Sequence, residues 1–136
     1  LCLAGEHDFS SFATLLSEHP QRLTAQPDPE KPEKPIGNIR RLWPIVITRQ
    51  GELLTFLLFG SGFLRGMVRC VVGTLLDVGG GRTRPAEVKE ILEARDRRRA
   101  GPNMEPQGLA LERVYYDTGE LEHDLEAASR GDWYPR

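Results

Sequence analysis

The chain has 136 residues, which suits one domain with one hydrophobic core. Hydrophobic residues make up 39% and charged residues 28%, a balance that excludes a disordered or fibrous chain. A formal net charge of −2 excludes indiscriminate binding to polyanions.

Charge is unevenly spread. Residues 40–99 hold twelve basic and six acidic side chains, whereas residues 117–136 hold six acidic and two basic. The middle is therefore suited to face a polyanion and the end is not. The bland reading of Arg95, Arg97, Arg98 and Arg99 is that they solvate a helix end, where the dipole favours cations. The longest apolar-rich stretch, 63–78, contains Arg65, Arg69 and Asp77 and is too short to cross a bilayer, so no membrane association is expected. Leu1-Cys2-Leu3-Ala4 has neither the basic nor the apolar region of a signal peptide, and a first residue other than Met is expected of an excised fragment. Two cysteines, Cys2 and Cys70, do not make a disulfide framework, and no Cys/His pair has metal spacing. A cytoplasmic location and no metal follow as expectations.

In chain order, residues 8–16 read as a short helix, with Asp8 as N-cap and Phe9, Phe12 and Leu16 on one face. Residues 20–36 carry Pro20, Pro27, Pro29, Pro32 and Pro35 among charges, the pattern of a mobile loop. Residues 40–48 are rich in Leu, Trp, Ile and Val and read as a strand, with Pro44 favouring an edge or a bulge. Gln50-Gly51 is a turn signal, and residues 53–59 form a near-continuous apolar strand of the kind covered on both faces. The two runs suggest an antiparallel hairpin. The longest helix is expected at 63–78, apolar around most of its circumference, with Gly66, Cys70 and Gly73 as a small-residue stripe that admits a neighbouring backbone. Gly79-Gly80-Gly81 ends it. Residues 85–94 form another helix, with Pro85 at its start and Val88, Ile91 and Leu92 facing inward. Residues 109–116 read as a final strand, and 119–136 as an acidic C-terminal tail or loosely attached helix. The fold class is α+β, an antiparallel or mixed sheet with helices packed on it, over residues 1–118.

Four constellations carry possible chemistry. Gly60-Ser61-Gly62, between a strand and a helix and followed by Gly66, has the setting of a loop that cradles a dinucleotide pyrophosphate. Against this, Phe63 is bulky where backbone must meet phosphate, and no acidic residue follows a second parallel strand to hold a ribose. Arg65 and Arg69 lie one turn apart on the apolar helix, and no carboxylate stands three or four residues from Arg69. An unpaired guanidinium there is costly, so it requires a phosphate or a carboxylate from elsewhere, with Glu6 and Asp8 as structural alternatives. His7-Asp8 with Ser10 and Ser11 has the ingredients of a nucleophilic triad, but adjacency is not triad geometry, and an N-cap aspartate is the simpler reading. His19 and His123 show no ligand partner. Trp43 beside Arg40 and Arg41, and Trp133 with Tyr134, can stack on bases or pack in a core.

Three stretches together resemble the second domain of TruA-type tRNA pseudouridine synthases. Gly5-Glu6-His7-Asp8-Phe9-Ser10-Ser11-Phe12 is similar to that family's G-x-H-D-F-[ST]-x-F. Gly60 through Arg69, with Phe63, Met67 and Val68, followed by Val72-Gly73-Thr74-Leu75-Leu76-Asp77-Val78-Gly79, resembles G-x-x-F-x-x-x-M-V-R-x-x-V-G-x-L-x-x-V-G. Ala100-Gly101-Pro102 with Gly108-Leu109-Ala110-Leu111 is like A-[GA]-x…G-L-x-L. Order and spacing agree over about residues 5–116.

The resemblance implies one half of the two-domain pseudouridine synthase fold, and isomerisation of uridine to pseudouridine in the anticodon arm of tRNA, without cofactor or metal. In that chemistry an aspartate is the nucleophile, the glycosidic bond breaks, the uracil turns, and a C–C bond forms. The aspartate belongs to a G-R-T-D-x-G motif of the first domain. Here Gly81-Arg82-Thr83-Arg84 has Arg at the aspartate position and follows the long helix, so the nucleophile is expected in an N-terminal half and this chain alone is expected to be inactive. Arg69 matches the final Arg of M-V-R, which pairs with the aspartate. Phe63 and Met67 are implied walls of the uracil pocket, and Leu109 is implied to pack near the base. Arg40, which matches an R-x-[IV] pattern, Arg41 and Arg65 are the implied RNA contacts. The implied partners are tRNA, the N-terminal domain, whose sheet this one would join, and a second copy in a homodimer. An isolated half would expose the apolar surface that meets the other. The Pro-rich segment is longer than that family's usual connection. The competing reading is an RNA-binding or assembly module without chemistry, using the 40–99 surface.

Overall fold

The computed structural model describes residues 2–14 and 37–133. The Pro-rich segment with His19, and Tyr134, lie outside the described residues. Among the described residues, four strands form two antiparallel pairs: β1 (Gly5–Asp8) with β2 (Ile39–Leu42), and β3 (Val46–Gln50) with β4 (Leu53–Leu57). Three α-helices follow, α1 (Met67–Gly79), α2 (Glu87–Ala94) and α3 (Thr118–Arg130). The class is α+β, as expected, with antiparallel pairing throughout the described residues.

The strand expected over 40–48 is two strands. Pro44 has no N–H to give a ladder, so β2 stops at Leu42 and β3 begins at Val46. Register runs from Gly5 opposite Leu42 to Asp8 opposite Ile39, and from Val46 opposite Leu57 to Gln50 opposite Leu53. The β3–β4 loop is Gly51-Glu52, and Gly51 has φ +62°, the positive value a two-residue hairpin loop requires. A bridge from Leu42 to Gly60 ties the two pairs, reinforced by Trp43 N–H donating to Phe59 O at 3.0 Å and Ser61 N–H to Arg41 O at 2.9 Å.

Over its described residues, 8–14, the expected N-terminal helix is not formed. Residues 5–8 pair as β1, and Ser10–Phe12 make a single 3-10 turn whose i, i+3 spacing places Phe9 and Phe12 side by side. Asp8 Oδ1 accepts the Ser10 N–H at 3.0 Å, which bends the chain out of β1 into that turn. Both phenyl rings are fully buried, against Leu3, Leu42 and the inner faces of α1 and α2. Each contributes roughly 1.5–3 kcal/mol by leaving water.

The long helix begins four residues later than its apolar pattern does. Gly66 precedes it with φ +71°, a left-handed conformation that interrupts any helix running through from Phe63. The small stripe performs the expected role. A Cβ on Gly73 would stand 1.8 Å from Pro102 O, and one on Gly101 would stand 2.7 Å from Thr74 N. Gly101 N–H donates to Thr74 Oγ1 at 2.9 Å, and the buried Cys70 lies beneath, its thiol pushed up by burial. Residues 101–104 are thereby laid along α1.

The final strand finds no partner among the described residues: 109–116 run without a ladder, leaving Leu111 78% exposed. Leu53 and Leu54 of β4 are exposed too, so the strand expected to be covered on both faces is not covered. Thr118–Arg130, most of the acidic segment, is a helix. Asp117 caps α3 by accepting from Gly119 and Glu120 N–H, and Gly131 closes it at φ +78°. Asp124, Ala127 and Ala128 are its buried positions, so it is attached by a defined face.

Candidate active-site cleft

A cleft of about 800 Å³ opens between the first turn of α1, the stretch from Phe56 to Leu64, and the unpaired segment 109–115. That volume is in the range of roughly 300–1,000 Å³ usual for small-molecule sites. Phe63, Met67, Arg69 and Leu109 all line it, so the structure brings together the four residues expected to support the active site. Met67 is 1% exposed and anchors the wall, whereas Phe63 and Leu109 offer apolar surface to the opening.

Arg69 is half-buried. Its Nε–H donates to the carbonyl of Met104, and the Met104 N–H returns a bond to Arg69 O at 3.2 Å. Among the described residues no carboxylate pairs with it; the structural alternatives, Glu6 and Asp8, are paired with Arg41 at 3.9 Å and Arg95 at 3.3 Å. Arg65 is exposed beside α1, and its backbone carbonyl accepts from Thr14 N–H at 2.9 Å. Arg40 lies against Gly62 of the cleft lining: a Cβ on that glycine would be 3.6 Å from Arg40 Nε. Arg41 stands away from the cleft with Glu6.

The Arg95–Arg99 run is largely neutralised in place. Arg95 pairs with Asp8, Arg98 with Asp96 at 2.8 Å, and Arg99 with Glu90 at 3.8 Å. Hydrogen bonds from Arg98 hold the Asp96 carboxyl down at about 2. Arg97 donates to Gly101 O at 2.9 Å. These pairings link chain to chain, while the side chains stay exposed, Arg98 at 89%.

Neither competing constellation assembles. Ser10 Oγ bonds Asp8, Ser11 Oγ bonds the Ile91 carbonyl, and His7 Nε2 bonds Ala4 O at 2.9 Å, so neither Ser10 nor Ser11 bonds His7. The glycine loop is filled: a Cβ on Gly60 would stand 2.9 Å from the Phe63 ring, in the space a phosphate cradle needs, and the strands leading to it are antiparallel.

Sequence reasoning missed the far wall of the cleft. Leu121 of α3 and Trp133 line it, together with Arg113 and Tyr115. Asp124, 5% exposed, accepts from Arg113 Nη1 and from Tyr115 Oη, both at 2.6 Å. Hydrogen bonds from Tyr115, Trp133 and His123, with the Arg113 charge, hold the Asp124 carboxyl below the usual carboxylate range although burial opposes them. Burial and the facing carboxylate push Tyr115 up to about 12. Tyr115 and Trp133 each pack on Phe59 with ring centroids 6.3 Å apart. The signal for this wall was Asp117 with Glu120 three residues on, and Leu121, Asp124, Leu125 and Ala128 at helical spacing before Gly131.

The profile of the tRNA pseudouridine synthase family matches residues 2–117, ending one residue before α3. Similar proteins include the "tRNA pseudouridine synthase A" of Geobacillus kaustophilus, 37% identical over 123 residues, which are 90% of this chain and 42% of that protein. The protein of that name from Exiguobacterium sibiricum is 41% identical over 114 residues, 84% of this chain and 39% of that protein. The Bacillus subtilis one is 38% identical over 115 residues, 85% and 40%. The chain spans about two fifths of the length of these relatives. With the family profile covering most of its length and the expected side chains gathered in one cleft, the chain belongs to the tRNA pseudouridine synthase family.

Proposed function

We propose that the chain is the part of a tRNA pseudouridine synthase that completes the uridine pocket around a nucleophilic aspartate carried by the N-terminal half of the enzyme. The observation that carries this reading is Arg69: it lines the cleft, its Nε is fixed on Met104, and no carboxylate pairs with it among the described residues. A carboxylate from the other half meets that need. The guanidinium keeps the aspartate ionised, and so nucleophilic, at neutral pH.

The substrate is a uridine of the tRNA anticodon arm. The C1′–N1 bond breaks, C1′–C5 forms, and the C5 proton is lost as N1 regains one, so atoms and electrons balance within the nucleotide. Phe63, Met67 and Leu109 give the turning base apolar walls. Arg40, Arg41 and Arg65 contact RNA phosphates, with Arg40 and Arg65 nearest the cleft lining. The exposed Leu53, Leu54, Leu109 and Leu111 form the surface that meets the N-terminal half, and the unpaired segment 109–116 joins its sheet there. The enzyme works in the cytoplasm as a homodimer.

The test is pseudouridine formation on tRNA carrying tritiated uridine, by this chain, by a separately expressed N-terminal half, and by their mixture. Turnover only in the mixture is expected. Turnover by this chain alone would refute the division of the site, and Asp8 and Asp77 would then be examined as nucleophiles.

A further inference from the structure

Asp124 is the most buried carboxylate among the described residues, and the reaction described above makes no use of it. It sits on α3, outside the residues the family profile matches. Yet it holds two side chains of the cleft wall. Arg113 Nη1 and Tyr115 Oη both donate to its Oδ2 at 2.6 Å. The Arg113 guanidinium lies 5.8 Å from the centre of the Tyr115 ring, and the Tyr115 and Trp133 rings are braced on Phe59.

One buried anion thus compensates the cation found on this wall among the described residues and fixes the Tyr115 ring, which shares Phe59 with Trp133. A carboxylate with several strong donors orients each of them, because every bond constrains the others. Without it, Arg113 becomes an uncompensated charge in a cleft that takes a neutral base, and Tyr115 loses the bond that sets its ring.

We propose that Asp124 is a positioning residue for the uridine site, acting through Arg113 and Tyr115, and that α3 is part of the working cleft rather than a tail. This rests on reading the cleft as the uridine pocket. The wall aligns the base for attack and adds little to tRNA affinity, so its loss falls on the chemical step. Misalignment in a site of this kind costs up to about a hundredfold in rate.

The test is made in the complete enzyme, this chain together with its N-terminal half. Steady-state turnover and tRNA affinity are measured for Asp124→Asn, Asp124→Glu, Tyr115→Phe, Arg69→Ala and Leu125→Ala. Leu125 is half-buried on α3 and does not line the cleft, so its truncation loosens the helix without touching the carboxylate. Expected are a kcat loss of about 10- to 100-fold for Asp124→Asn, with KM and tRNA affinity within about threefold, a smaller loss for Tyr115→Phe, and partial recovery in Asp124→Glu. Leu125→Ala, compared below its melting temperature, should stay near wild type. The proposal is overturned if Asp124→Asn turns over at the wild-type rate, or if Leu125→Ala loses as much activity as Asp124→Asn. Should Asp124→Asn not fold, Tyr115→Phe decides by the same comparison. Wild-type activity in Arg69→Ala would instead overturn the reading of the cleft, so the two failures are distinguishable.

Discussion

Arg69 donates its Nε–H to the carbonyl of Met104, and Met104 answers through its N–H to the Arg69 carbonyl, so side chain and backbone of one residue are clamped by the other. The clamp uses the inner nitrogen of the guanidinium and leaves the terminal pair for a carboxylate.

Lysine cannot do both, since it has a single nitrogen and no planar fork. Arg69→Lys in the complete enzyme is expected to lower kcat by about 100-fold or more, the scale seen when one charge-stabilising donor is removed from an active site. Affinity for tRNA should change by no more than a few-fold. Turnover within threefold of wild type would contradict the pairing.

Gly73→Ala places a methyl 1.8 Å from Pro102 O, a backbone atom that cannot rotate away. Overpacking of this kind is expected to cost about 3 kcal/mol or more, read as a fall in the denaturant midpoint. Gly79→Ala is the comparison: nothing lies within 4 Å of its Cβ, and it should hold or gain stability by about 0.5–1 kcal/mol.

Acid and alkali should release α3 at opposite ends of the pH scale. The Asp124 carboxyl is depressed in the fold, so the unfolded chain takes the proton more readily and protonation favours unfolding. Its contribution is complete above about 4 and disappears as pH falls through the lower folded value. Tyr115 is raised to about 12, so its contribution is complete below about 10 and is lost as pH climbs toward 12. Trp133 fluorescence in a Trp43→Phe background reports both transitions, and one centred at neutral pH would contradict this assignment.

Arg65 and Arg98 should differ toward RNA although both are exposed. Arg98 is tied to Asp96 and Arg65 has no ion-pair partner among the described residues. Arg65→Ala is expected to weaken tRNA binding and to reduce the logarithmic salt slope by about 1, whereas Arg98→Ala should leave the slope unchanged. Equal effects would mean the run at 95–99 meets RNA after all.

Local signals in the sequence were reliable where the structure is local. Gln50-Gly51 marked the β3–β4 hairpin, Pro85 and the Val88, Ile91, Leu92 spacing marked α2, and Gly66, Cys70 and Gly73 announced a close backbone neighbour. Elsewhere one pattern served two geometries. Phe9 and Phe12 lie three apart, which suits a helix face and also the single 3-10 turn that forms after β1. The apolar run from Phe63 looked continuous, but Gly66 in the left-handed region splits it into a cleft-lining loop and a helix. The arginine-rich stretch left a polyanion surface and a solvated helix end equally open, because its partners Asp8 and Glu90 come from other elements. The four residues placed in the active site by motif were gathered in one cleft, whereas Asp124 was hidden because acidic composition outweighed helical spacing in reading residues 119–136.

The crossing of α1 by residues 101–104 has one more implication. With no room for a methyl at Gly73 or Gly101, the helix and the strap cannot slip past one another even by a fraction of a turn. Arg69 is therefore surveyed from a datum deep inside the molecule, independent of whatever lines the opening above it. Damage to the placement of Arg69 is therefore to be sought at Gly73 and Gly101 as much as at the cleft itself.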